Sequence, residues 1–180
     1  MVDAVVEAAF QLFAKRGPAA VSLRDIAAAA HVNPGLIYRH IGNKTAVLSA
    51  TLNHRAEITP VDHLIEQASL DEFLMAGLAA GFPDVGIAQL WARTALDGYD
   101  IHDLQPRIPI VQYVVDQLAA SLPDSDARVR AAFVISAFTG WLLLGSTYLQ
   151  LAESPEQSGD QLAAILEPVV NAMLNAPPPT

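Results

Sequence analysis

The chain has 180 residues, 52% of them hydrophobic and 16% charged, which is enough apolar side chain to bury a sizeable core and too much for extended disorder. Its lack of cysteine excludes a disulfide framework, a thiolate metal site and a cysteine nucleophile. The net charge of −9 is uneven, since residues 1–55 hold six Lys and Arg against three acids and the remainder holds four against sixteen, giving +3 and −12. Phosphate attraction is screened over about 8 Å at physiological salt, so a basic segment can attract phosphates locally within a chain of net negative charge.

The first predicted helix runs from Asp3 to Arg16, because Val2, Val6, Ala9, Phe10 and Phe13 recur on one helical face. This N-terminus lacks the basic start, apolar run and cleavage site of a secretory signal, so a cytoplasmic protein is expected. Gly17-Pro18 stops the helix. Ser22 and Asp25 form a capping-box start for a short second helix, Leu23 to Ala30. His31-Val32-Asn33 is a turn, and Asn33-Pro34 opens a third helix with a side-chain cap and a proline at its first position. Gly42-Asn43 closes that helix and caps a fourth, from Lys44 to about Arg55. Beyond Glu57, apolar helical windows at 61–81, 84–97, 107–121, 127–152 and 160–175 are separated by prolines and one glycine. No window alternates with period two, so the chain is expected to be all-α, with a disordered tail over 177–180.

Three short helices with a tight turn before the last form a helix-turn-helix pattern, in which the third helix enters the major groove by its N-terminal end. Asn33 caps that helix, and Pro34 and Gly35 leave its leading turn unobstructed, so that backbone can approach base edges. Leu36 offers apolar contact to a thymine methyl, while Arg24 and Arg39 can each make two hydrogen bonds to guanine. Tyr38 and His40 can donate to phosphates. Asn43-Lys44 puts a helix N-terminus and a cation where a phosphate would lie. A short helix-turn-helix also occurs in proteins that never touch DNA, and singly Arg39 or Lys44 is more often a solvated surface charge and Tyr38 a core aromatic; the constellation carries the argument.

The stretch Val21 to Leu48, V-S-L-R-D-I-A-A-A-A-H-V-N-P-G-L-I-Y-R-H-I-G-N-K-T-A-V-L, resembles the N-terminal signature of the tetracycline-repressor family. The matching positions are Gly17, Ser22, Ile26, Ala27, Val32, Gly35, Ile37, Tyr38, His40, Lys44 and Leu48. The resemblance implies that Ser22, Tyr38, His40 and Lys44 grip phosphates. It also implies that Arg24 and the first turn of the third helix read bases, and that Ile26, Val32 and Ile37 hold the head together. Pro18 and Ile41 stand where the family usually has aromatics, which alters head packing more than DNA contact. His31 stands where glycine is common because the turn needs a left-handed backbone, which histidine tolerates at some cost. The resemblance further implies a DNA operator, a small-molecule effector and a homodimer.

In the body, Ala131 to Ala152 is uncharged and long enough to be a candidate membrane span. On a helical wheel Phe133, Ala137, Trp141, Leu144, Tyr148 and Leu151 share one side, with a strip of Ser136, Thr139, Gly140, Ser146, Thr147 and Gln150 opposite. That polar strip is costly in lipid and no basic flank dominates, so the expectation is a buried helix of a soluble protein, apolar on more than one side, with no membrane partner. The last helix presents Leu162, Ile165, Leu166, Val169, Val170 and Met173 on one stripe, with Pro168 expected to bend it. Two adjacent apolar helices suit a symmetric four-helix dimer interface; the alternative on periodicity alone is that they complete a monomer core. Ligand-pocket candidates are Trp91, Tyr99, His102, Tyr113, Phe138 and Trp141.

The expected organisation is a DNA-binding head over 1–46 and a helical ligand-binding and dimerisation domain over 47–176. An enzyme is disfavoured: the five histidines lack metal-ligand spacing, and neither a phosphate-cradling loop nor a G-x-S-x-G elbow is present, so no cofactor, metal or catalytic residue is assigned. A helical interaction or membrane-associated module would leave the capped, basic 22–44 segment without a purpose.

Overall fold

The computed structural model describes residues 1–58, 69–80 and 85–175. Every regular element among them is a helix: α1 (Val2–Arg16), α2 (Leu23–Ala29), α3 (Pro34–His40), α4 (Lys44–Ile58), α5 (Leu70–Ala80), α6 (Val85–Leu96), α7 (Ile101–Leu104), α8 (Pro109–Ala119), α9 (Asp124–Leu151) and α10 (Gly159–Asn175). The all-α expectation holds, and the element boundaries of the N-terminal part fall where the caps put them. The short α7, capped by the Asp100 carboxylate accepting from the His102 N–H at 2.8 Å, was not foreseen. The start of the expected 61–81 window and the 177–180 tail lie outside the described residues.

The chain folds as two compact units. The first joins Met1–Thr59 to Asp84–Arg107. Its core gathers Val5, Ala9, Phe10 and Phe13 of α1, Ile26 of α2, Ile37 of α3, Val47, Leu48 and Leu52 of α4, Leu90 of α6 and Leu104 of α7. This moves the boundary expected after residue 46, for a physical reason. Lys44 to Ile58 is one helix whose apolar face is fully buried against α1, so the head cannot end inside it. α6 supplies a second wall to α1 from a part of the sequence that periodicity had placed in the body.

The second unit joins Pro60–Pro83 to Ile108–Thr180. Here α8 packs on α9 and α5 on α10, around Phe73, Leu74, Val114, Leu118, Ala131, Val134, Phe138, Val170 and Leu174. At the α5–α10 crossing a Cβ on Gly159 would collide with the Ala79 carbonyl oxygen, so only glycine allows that approach.

The long helix is only partly covered within the single chain. α9 buries Ala127, Ala131, Val134, Phe138 and Gly145, a stripe whose steps of three, four and seven residues keep to one helical face. The face carrying Val129, Phe133, Leu144, Tyr148 and Leu151 is exposed, Phe133 by 65% and Leu151 by 74%. Ile165 and Val169 of α10 are exposed as well. A helix with so wide an apolar side was expected to be buried on more than one side, and within the single chain it is buried on one. By length and composition alone α9 is also long enough to cross a bilayer.

Candidate nucleic-acid interface

α2 and α3 have seven residues each, too short to persist without caps and packing. The caps are in place. The Asp25 N–H donates to Ser22 Oγ at 3.2 Å, and the Ser22 N–H donates to Asp25 Oδ2 at 2.8 Å. The Ser22 hydroxyl also donates to that oxygen at 2.7 Å, and together these bonds hold the Asp25 carboxyl below its usual value. His31 takes the left-handed backbone the turn requires, at φ 55°. Asn33 Oδ1 then accepts from the Gly35 N–H at 2.8 Å, with Pro34 in the first turn of α3.

α3 is fixed to the protein by one side chain. Ile37 is fully buried, and every other residue from Pro34 to His40 is exposed, Tyr38 by 68% and Leu36 by 40%. A helix so sparsely covered presents its first turn and most of its circumference outward. Ser22, Arg24, Asn33, Pro34, Gly35, Leu36, Tyr38, Arg39 and His40 are all exposed, as a surface that meets a duplex must be.

Lys44 is the exception. It is half-buried, and its Nζ donates to the Pro18 carbonyl at 2.9 Å, tying the start of α4 to the turn after α1. Two of its three N–H bonds remain for a phosphate. The N-terminus of α4 is capped by Asn43, whose Oδ1 accepts from the Ala46 N–H at 2.9 Å.

The proposed ligand residues are divided between the units. In the first, Trp91 packs on the core and its Nε1–H donates to Gln105 Oε1 at 3.1 Å, Tyr99 packs on the same core, and His102 is exposed. In the second, Tyr113 meets Phe73 edge-on, with ring centroids 6.4 Å apart. Phe138 and Trp141 share a cavity of about 120 Å³, lined also by Leu78, Ala137, Leu166, Val169, Val170 and Met173. Its lining offers no charged side chain.

Residues that carry no chemistry of their own were missed. Arg93, Asp97 and Gln105 bond to α1, to the turn after it and to α4. Nothing in their local sequence distinguishes them from solvated polar residues, because what marks them is a partner more than fifty residues away.

A capped helix-turn-helix with an outward third helix, on a chain whose described elements are all helical, is the arrangement of DNA-binding regulators of the helix-turn-helix class. Residues 5–51 match the family described as bacterial regulatory proteins, tetR family. Over 175 residues the chain is 35% identical to the HTH-type transcriptional repressor Rv3405c of Mycobacterium tuberculosis, covering 92% of this chain and 88% of that one. Its fold is similar to that of a transcriptional regulator from Rhodococcus sp. Rha1, with a TM-score of 0.68, 18% identity and coverage of 97% and 96%. It is similar also to the multidrug binding protein EbrR complexed with imidazole, with a TM-score of 0.62, 20% identity and coverage of 98% and 91%. The chain belongs to the TetR family: it is a DNA-binding transcriptional regulator and not an enzyme.

Proposed function

We propose that the chain is a cytoplasmic, ligand-responsive repressor that binds a near-palindromic operator as a homodimer. The observation that carries the reading is the exposure of α3 everywhere except Ile37. Within the first unit, residues 1–46 make the DNA contacts. Arg24, Arg39, Leu36 and the Pro34-Gly35 turn meet base edges, Asn33 holds the cap, and Tyr38, His40 and Lys44 meet phosphates. Ser22 joins the phosphate group only by rotating its hydroxyl, whose proton is directed at Asp25.

Dimerisation is supported by the exposed apolar faces of α9 and α10, since side chains such as Phe133, Tyr148, Ile165 and Val169 lose water contact only when something covers them. Ligand response is supported by the Phe138–Trp141 cavity and by the similarity to a multidrug binding protein. The name of the Mycobacterium tuberculosis relative supports repression.

The test is duplex selection from a randomised pool with purified protein, followed by titration of the enriched duplex at several salt concentrations. An inverted repeat and a steep loss of affinity with salt are expected. Small molecules that raise the melting temperature should then release the duplex. Enrichment of no duplex would defeat the reading.

A further inference from the structure

The last turn of α1 and the segment that leads from it to α2 are held by three side chains from elsewhere in the chain. Arg93 Nε, on the last turn of α6, donates to the Ala14 carbonyl at 2.7 Å. The Asp97 carboxylate, just after α6, accepts from the Ala19 N–H at 2.6 Å through Oδ2. Lys44 holds the Pro18 carbonyl between them. Gly17 has φ 81°, and a Cβ there would lie 2.9 Å from Asp97 Oδ2, so backbone conformation and side-chain size are both constrained where the carboxylate closes on the turn.

We propose that Asp97 and Arg93 are positioning residues for DNA binding, which set the angle of the α2–α3 pair without touching DNA. The two helices have small anchors of their own: Ile26 and Ala27 for α2, and Ile37 for α3. The entry angle of α2 is fixed by the residues that lead into its Ser22 cap, and the Ala19 N–H lies three residues before that cap. An ionised acceptor at 2.6 Å makes the stronger kind of hydrogen bond, and a small tilt at the turn is carried through α2 to the leading end of α3.

The proposal rests on the reading of α2 and α3 as the DNA-binding pair, and the sign of one substitution separates it from a charge effect. Asp97→Ala removes a negative charge from the unit that approaches DNA, so charge alone predicts tighter binding. A lost positioning bond predicts the opposite: about fivefold weaker binding to the enriched inverted repeat. Binding to a random-sequence duplex should be unchanged or slightly tighter.

Full-length wild type, Asp97→Ala and Asp97→Asn should be compared by fluorescence anisotropy, together with amide exchange at Ala19 in the free protein. Exchange at Ala19 is expected to accelerate in the Ala variant. The Asn variant keeps an acceptor, weaker for being neutral, and should fall between wild type and Ala. It decides the matter if the Ala variant fails to fold. Asp97 variants that bind the inverted repeat as tightly as wild type, or tighter, overturn the positioning role alone. A wild type that enriches no duplex overturns the DNA-binding reading, and this one with it.

Discussion

Arg24, Tyr38 and Lys44 illustrate two kinds of contact that the head can make with a duplex. Tyr38→Phe and Lys44→Ala are expected to weaken binding about equally on all sequences, because phosphates carry no base information. Lys44→Ala should also lower the salt slope by about one unit. Arg24→Ala should instead relax preference at particular base pairs, by about 1–3 kcal/mol for a bidentate guanine contact. Parallel selections with wild type and each variant read this directly, and an unchanged consensus would move Arg24 to the phosphate contacts. Asp25 gives a prediction in pH. Its carboxyl is held below the usual value of 3.8 by Ser22, so the capping box contributes stability above that value and loses it as pH falls through the lower folded value. Protection of the Ser22 amide, which donates to that carboxylate, should fall in that acid window, and in Asp25→Ala at neutral pH.

Among the elements, the capped helices were legible from local sequence because a cap is a local event. Ser22 and Asp25, Asn33-Pro34 and Asn43 each satisfy backbone groups within three residues. Packing partners were not legible. Period 3.6 places Leu90 on a buried face of α6 without saying that α1 lies against it, and it gave no sign that Gln105 is buried. Gln105 is only 1% exposed, and its Nε2 donates to the Leu52 carbonyl at 3.1 Å while its Oε1 receives the Trp91 indole. Gln105→Leu should cost about 1–3 kcal/mol, because the indole N–H is left without its partner, and chemical denaturation would measure it. The exposed stripe of α9 was only half legible for a related reason: a helix apolar on several sides is expected to be buried on them, and a sequence does not say whether its own chain or a second copy does the burying. Phe133→Glu should therefore convert a dimer to a monomer with little loss of fold, seen by sedimentation and circular dichroism. A variant that remained dimeric would remove α9 from the interface.

At the scale of the whole molecule, the two units differ in charge. The first carries eight basic and eight acidic side chains, the second two and eleven. The basic excess therefore resides in the local surface around α2 to α4 rather than in a unit-wide field, and a single head of two seven-residue helices can contact only a few base pairs. Two heads fixed in the proposed homodimer would double the contact and would also fix its geometry. Their recognition helices must meet successive major grooves on one side of the duplex, about 34–36 Å apart or somewhat further. Inserting five base pairs at the centre of the selected inverted repeat turns one half-site by about half a helical turn, given about 10–10.5 base pairs per turn. The second head then faces away from its groove. Affinity should drop to that of a duplex carrying one half-site, while insertion of ten base pairs restores rotation but not distance and should recover little. Electrophoretic mobility shift with the three duplexes measures this. Equal affinity for all of them would mean that the heads bind independently, and a dimer that couples ligand to operator spacing would no longer explain the chain.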